Sequence, residues 1–134
     1  MYAVEINNVA KSFSNVQAVS DVSFDVEHGE IFGLLGPNGA GKTTTIRLLL
    51  DIFKPDRGKV SILDGPMSEV KKDRIGYMPE ERGLYQDATL ERCLTYLSTL
   101  KGLSLAESQS RLGSYLERFD LAQHKQKKVK ELSK

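Results

Sequence analysis

A chain of 134 residues and 14.9 kDa is one domain's worth of polypeptide, and 40% hydrophobic with 28% charged residues excludes wholesale disorder. No apolar run approaches the roughly 18–20 residues of a membrane-spanning helix, and the N-terminus lacks the basic and apolar regions of a secretory signal. A net charge of +1 carries no signature of nucleic-acid binding, and a lone Cys93 fits a reducing compartment, so composition predicts a soluble cytoplasmic domain.

In chain order, Tyr2, Val4 and Ile6 alternate with smaller or polar residues, as do Val22, Phe24 and Val26, and both segments read as half-buried strands. His28-Gly29 supplies a turn. The continuous apolar run Ile31–Leu35 suits a strand covered on both faces, as in an α/β sheet. A glycine-rich loop follows, and Gly41–Phe53 carries Ile46, Leu49, Leu50 and Phe53 at helical spacing. The turn Pro55-Asp56-Arg57-Gly58 ends it, Lys59–Leu63 reads as a short strand, and Arg74–Met78 as a further one. After Pro79 the pattern is helical. Leu90, Cys93, Leu94, Leu97 and Leu100 share one face, with Thr89 as N-cap and Gly102 past the end. Ser104–Glu107 has the form of a capping box, opening a helix to about Phe119 whose stripe holds Leu105, Leu112, Leu116 and Phe119. A boundary near Gly83–Asp87 would separate residues 1–86 from a helical section, residues 87–134.

Gly36-Pro37-Asn38-Gly39-Ala40-Gly41-Lys42-Thr43 matches GxxxxGK[ST] in full, after an apolar run and before a helix. Glycines let successive backbone N–H groups turn toward one centre, and the first helical turn adds unsatisfied donors and the positive end of a dipole. In such a loop Lys42 reaches the β- and γ-phosphates, the Thr43 hydroxyl ligates Mg²⁺, and Thr44 offers a hydroxyl toward the α-phosphate. The loop by itself predicts a nucleoside triphosphate and leaves open which kind of NTPase holds it.

The surrounding residues narrow that choice. Val9-Ala10-Lys11-Ser12-Phe13, Ala18 through Phe24, Gly29 through Thr44, the Pro55–Gly58 turn, Ile75-Gly76-Tyr77-Met78-Pro79 and Glu131-Leu132-Ser133 follow one another in an order that closely resembles the N-terminal part of an ATP-binding-cassette (ABC) transporter ATPase subunit. The stretch from Ile75 to Tyr85 is most similar to exporters whose ATPase and membrane parts are separate chains, sodium and drug exporters among them.

The resemblance implies an α/β fold. Its P-loop NTPase (RecA-like) core would carry an antiparallel β portion at the N-terminus and an α-helical subdomain after about residue 87, as a truncated cassette. It implies ATP and Mg²⁺ as cofactors, a transmembrane permease and a second cassette as partners, and a peripheral location on the inner face of the membrane. Phe13 falls where the family carries an aromatic that stacks on adenine; the bland alternative is a core Phe. Glu80 stands where the family usually has a Gln that contacts Mg²⁺ and the attacking water, and it is the candidate catalytic and metal residue. A solvated acid within Glu80-Glu81-Arg82 is the alternative. Ser133 coincides with the start of the family signature that caps the partner subunit's ATP. The family's acidic metal-holding strand, catalytic Glu and switch His have no counterparts in these residues, so the chain by itself is expected to bind ATP without hydrolysing it. Two alternatives stay open, a soluble ABC ATPase of translation or DNA repair and a non-catalytic nucleotide-binding module. His28, His124, Cys93 and the lysines 125, 127, 128 and 130 are expected to be structural or solvated.

Overall fold

The alternating apolar residues at the start of the chain fold into a long antiparallel hairpin, β1 (Tyr2–Phe13) and β2 (Val16–Glu27). The computed structural model describes residues 2–79 and 83–132, and these divide into two units, one running to Gly76 and the other starting at Tyr77. In the first unit β3 (Arg57–Ile62) pairs with the other edge of β1, giving an antiparallel sheet of order β2-β1-β3. Helix α1 (Lys42–Leu49) packs on one face of this sheet. Ile6, Val9, Val19 and Leu48 form the buried core, flanked by Val4, Val22, Phe24, Leu49, Phe53 and Val60.

Strict alternation would place Ile6 and Val9 on opposite faces, yet both are fully buried. The pairing of β1 with β2 shifts between Ile6 and Val9, and Asn8 takes a left-handed φ of 48° there. On β2, Asp21 lies at φ 53° between Val19 and Val22, which are likewise out of phase. Asn and Asp tolerate this backbone best among residues with a Cβ, and such a bulge moves the strand by one register position. The Asn8 N–H donates to Ser23 Oγ at 2.8 Å, and the Asn8 amide donates to Asp21 Oδ1 at 3.2 Å, joining the two irregularities. Gly58 of β3 backs onto this point. A Cβ there would lie 2.4 Å from the Asn8 carbonyl oxygen.

Two expected strands are corrected. Ile31–Leu35 is not in a strand; Ile31 is 99% and Leu35 is 92% exposed, Leu34 is half-buried, and Phe32 stacks on Phe24 with centroids 4.8 Å apart. Arg74–Met78 is likewise outside any strand. A buried parallel strand needs ladder partners on both edges, and among the described residues the single sheet is antiparallel and does not include either run. The first helix also ends earlier than expected, at Leu49. Asp51 adopts φ 61°, while the Asp51 and Ile52 N–H groups donate to the carbonyls of Leu48 (3.1 Å) and Arg47 (2.9 Å), a Schellman closure. A short helix α2 (Glu69–Lys72), capped by the Ser68 hydroxyl, has no sequence signal, since four residues are too few to show a period.

In the second unit, α3 (Leu90–Leu100) begins at Thr89, whose side chain accepts from the Arg92 N–H, and closes through Gly102 at φ 89°. Helix α4 (Leu105–Arg118) opens with the expected capping box, Ser104 with Glu107. Its stripe is a correction: Leu105 and Phe119 are exposed, and Ser108 takes the inward place above Leu112 and Leu116, 2% exposed and hydrogen-bonded to Ser98 of α3. The segment is also not helix alone. Residues 125–130 return alongside 86–91, with Leu90 donating to the Lys127 carbonyl at 2.9 Å and Val129 to that of Ala88 at 3.0 Å. Cys93 is buried, as are Leu90, Leu116 and Val129 of the same unit. No helix among the described residues is long and apolar enough to cross a membrane.

Candidate nucleotide site

The site begins where α1 is held. Leu48 and Thr45 face the sheet, so the helix axis and its first turn are fixed by packing. Thr45 further locks that turn, its N–H and its hydroxyl both donating to the Gly41 carbonyl, at 2.8 and 2.9 Å. Gly41 is the N-cap and lies at φ 86°, ψ 7°, with no side-chain cap hydrogen bond and no acidic residue in the first turn. The helix therefore presents the positive end of its dipole with no side chain of its own neutralising it. A Cβ on Gly41 would sit 2.3 Å from the Ala18 carbonyl oxygen and 3.3 Å from Val19 Cγ2, so β2 leaves no room for a side chain.

The loop ahead of the helix is tightened by Ala40 donating to the Pro37 carbonyl at 3.2 Å, with Gly39 at φ 83°. Lys42 turns back over it, its ammonium donating to the carbonyl oxygens of Gly36 at 2.6 Å and Pro37 at 2.8 Å. The residues from Gly36 through Ala40, with Asn38 between the two turns, are exposed, as is Thr43; Lys42 and Thr44 are half-buried. A cation, hydroxyls and an uncapped helix start converge on one small region. This donor set is acceptor-poor and fits a phosphate chain, whose charge would supply what the dipole and Lys42 lack.

Phe13 closes β1 at the hairpin tip. Its ring is 40% exposed, meets Phe53 edge-on with centroids 5.0 Å apart, and carries the Lys11 ammonium 5.5 Å from its centroid. Phe13 is thus half-packed and half-open. Asp56, seen in the sequence only as part of a turn, reaches the same strand end. Its carboxylate accepts from Lys11 Nζ and from the Ser12 N–H, both at 2.7 Å. The Lys11 hydrogen bond first, and the Ser12 N–H second, hold the Asp56 carboxyl below its usual value. Glu80 and Ser133 lie outside the described residues. His28 occupies the expected turn, His124 sits half-buried in a short 3-10 turn, and Lys130 pairs with Asp87 at 2.6 Å.

A glycine loop running into the uncapped start of a sheet-backed helix, with lysine at its first position, is the phosphate-binding element of a P-loop NTPase. Residues 19–134 match the ABC transporter family, and the chain belongs to that family as part of an ATP-binding subunit. It is 43% identical to the ABC transporter ATP-binding protein YhaQ of Bacillus subtilis over 96% of this chain and 43% of that protein. To the Nod factor export ATP-binding protein I of Bradyrhizobium diazoefficiens it is 39% identical, over 86% of this chain and 39% of that protein. A solved ATP-binding subunit of an ABC transporter superposes with a TM-score of 0.79 at 32% identity, covering 98% of this chain and 56% of that one. The chain thus spans less than half the length of these two sequence relatives.

Proposed function

We propose that this chain forms the nucleotide-binding portion of an ABC exporter's ATPase subunit and takes MgATP at the N-terminus of α1. The arrangement at Gly41 and Lys42 carries the reading: an uncapped first turn pressed against β2, and an ammonium 2.6 and 2.8 Å from two loop carbonyls, within a lysine's swing of that turn. The backbone N–H groups from Gly39 to Thr44 enclose the phosphates, Lys42 exchanges its loop carbonyls for β- and γ-phosphate oxygens, and Thr43 ligates Mg²⁺. Thr44 serves the α-phosphate, and Phe13 offers its open half to the base. Glu80 adds an oxygen to the metal, and Ser133 faces the ATP of a second cassette.

In this reading residues 1–86 and 87–134 are two parts of one ATP-binding domain, which pairs with a second cassette and a transmembrane permease on the inner face of the membrane. ATP hydrolysis belongs to the complete subunit. A relative named for Nod factor export supports the outward direction. Calorimetric titration with MgATP tests the site: Lys42→Ala weakens binding at least tenfold, because the β/γ charge is left to backbone dipoles, and equal affinity in the two proteins refutes the assignment.

A further inference from the structure

We infer that Asp56 is the positioning residue for the Phe13 ring, setting how much the hairpin tip contributes to binding the base of a nucleotide. Three consecutive residues before Phe13 are tied to this one side chain and its backbone. The Asp56 N–H donates to the Ala10 carbonyl at 2.9 Å, its carboxylate takes the Lys11 ammonium at 2.7 Å, and its other oxygen takes the Ser12 N–H at 2.7 Å. The Lys11 side chain is only 17% exposed and lies over the Phe13 ring, so the ion pair pins the group that covers one part of that ring. A second support is Phe53, which follows α1 and meets the ring edge-on. Pro55 before Asp56 and Gly58 after it fix the turn, and Arg57 of that turn pairs in register with Ala10. Without the carboxylate, the Asp56 tie to residues 10–12 is reduced to its backbone bond with Ala10, and the ring loses the anchored ammonium beside it.

The inference rests on Phe13 meeting the base, and the test separates the two. Affinities of the full chain for MgATP and for Mg-tripolyphosphate are measured in the parent, Asp56→Ala, Phe13→Ala and the double variant, and the ratio of the two affinities is the readout. Tripolyphosphate uses the loop alone, so a general loss of structure lowers both affinities and leaves the ratio unchanged. Phe13→Ala is expected to cut the ratio about threefold to tenfold, a stacking contact's worth. Asp56→Ala is expected to cut it about threefold, and to cut it no further when Phe13 is already Ala. Asp56→Asn, which can still accept from the Ser12 N–H, is expected to fall between parent and Asp56→Ala. Lys11→Met reproduces the loss of the ion pair if Asp56→Ala proves unfolded. A ratio unmoved by Phe13→Ala overturns the base contact and the inference with it. A ratio moved by Phe13→Ala but not by Asp56→Ala or Lys11→Met, or moved by Asp56→Ala equally in the Phe13→Ala background, overturns the inference alone.

Discussion

Adding one methyl group at Gly41 perturbs two things that the structure keeps separable. The first is backbone conformation: φ 86° lies in the left-handed region, where an L-residue costs roughly 1–2 kcal/mol. The second is contact. The new carbon would stand 2.3 Å from the Ala18 carbonyl oxygen, a backbone atom of β2 that cannot rotate away, and overpacking of this kind costs about 1–3 kcal/mol. Gly41→Ala should therefore destabilise by roughly 2–5 kcal/mol, a large fraction of the roughly 5–15 kcal/mol that holds an ordinary domain together. Gly39 provides the control, since it has nearly the same φ, 83°, and a Cβ at that position would meet nothing within 4 Å. Gly39→Ala should lose only the conformational part. Urea unfolding followed by far-ultraviolet circular dichroism measures both, with an unchanged slope showing that the unfolded states are comparable. Equal losses in the two variants would refute the argument that β2, and not the phosphate alone, demands glycine at this position.

Ser104→Ala removes the hydroxyl that accepts from the Glu107 N–H and donates to the Glu107 carboxylate, leaving only the backbone half of the capping box, and should lower stability by about 1 kcal/mol in thermal unfolding. Ser98→Ala leaves the Ser108 hydroxyl, 2% exposed, without its α3 partner and should cost about 1–3 kcal/mol, whereas the Ser98→Ala/Ser108→Ala pair should cost less than that single change. Asp56, Asp87 and Glu107 are each held below their usual values, by the hydrogen bonds of Lys11, Lys130 and Ser104 respectively. Depressed folded-state values mean that the stabilisation is complete above the ordinary carboxylate range. It should be lost as pH falls through about 4 and below, and melting curves from about pH 7 to 3 should show that decline.

The glycine loop, the capping box at Ser104, the Thr89 cap and the two strands around Tyr2–Ile6 and Val22–Val26 were legible because each is written in neighbouring residues. Cap chemistry and strand alternation act over a few positions and need no knowledge of the rest of the fold. The apolar runs Ile31–Leu35 and Arg74–Met78 failed for the opposite reason. A buried strand exists only through partners on its edges, which an apolar run does not specify. The exposure of Leu105 and Phe119 shows the same limit, because helical spacing states which residues share a face and not what that face meets. Asp56 was invisible as more than a turn residue, since its partners Lys11 and Ser12 lie 45 and 44 positions away. A Lys-Ser-Phe strand end and a later Pro-Asp turn give no local sign that they will be neighbours.

The shared irregularity at Asn8 and Asp21 has a consequence for how this hairpin tolerates changes of length. Each strand is two short rulers joined out of step: Ile6 opposes Phe24 and Val9 opposes Val22, and β1 breaks between Ile6 and Val9 while β2 breaks between Val22 and Val19. Deleting Asn8 would leave Asn7 as the single residue between Ile6 and Val9, so both would still face the core. Deleting one residue within a regular stretch would instead turn every side chain beyond it to the other face. The cost of deleting Asn8 would fall on the irregularity's own contacts, the hydrogen bonds from Asn8 to Ser23 and Asp21. Single-residue changes of length in this hairpin are therefore expected at Asn8 and Asp21 before any regular position of either strand. Even then Gly58 would face an altered neighbour, because its bare α-carbon is fitted to the carbonyls of Asn7 and Asn8. What each strand must keep is the parity of its regular stretches, and the irregular positions are where its length is free to vary.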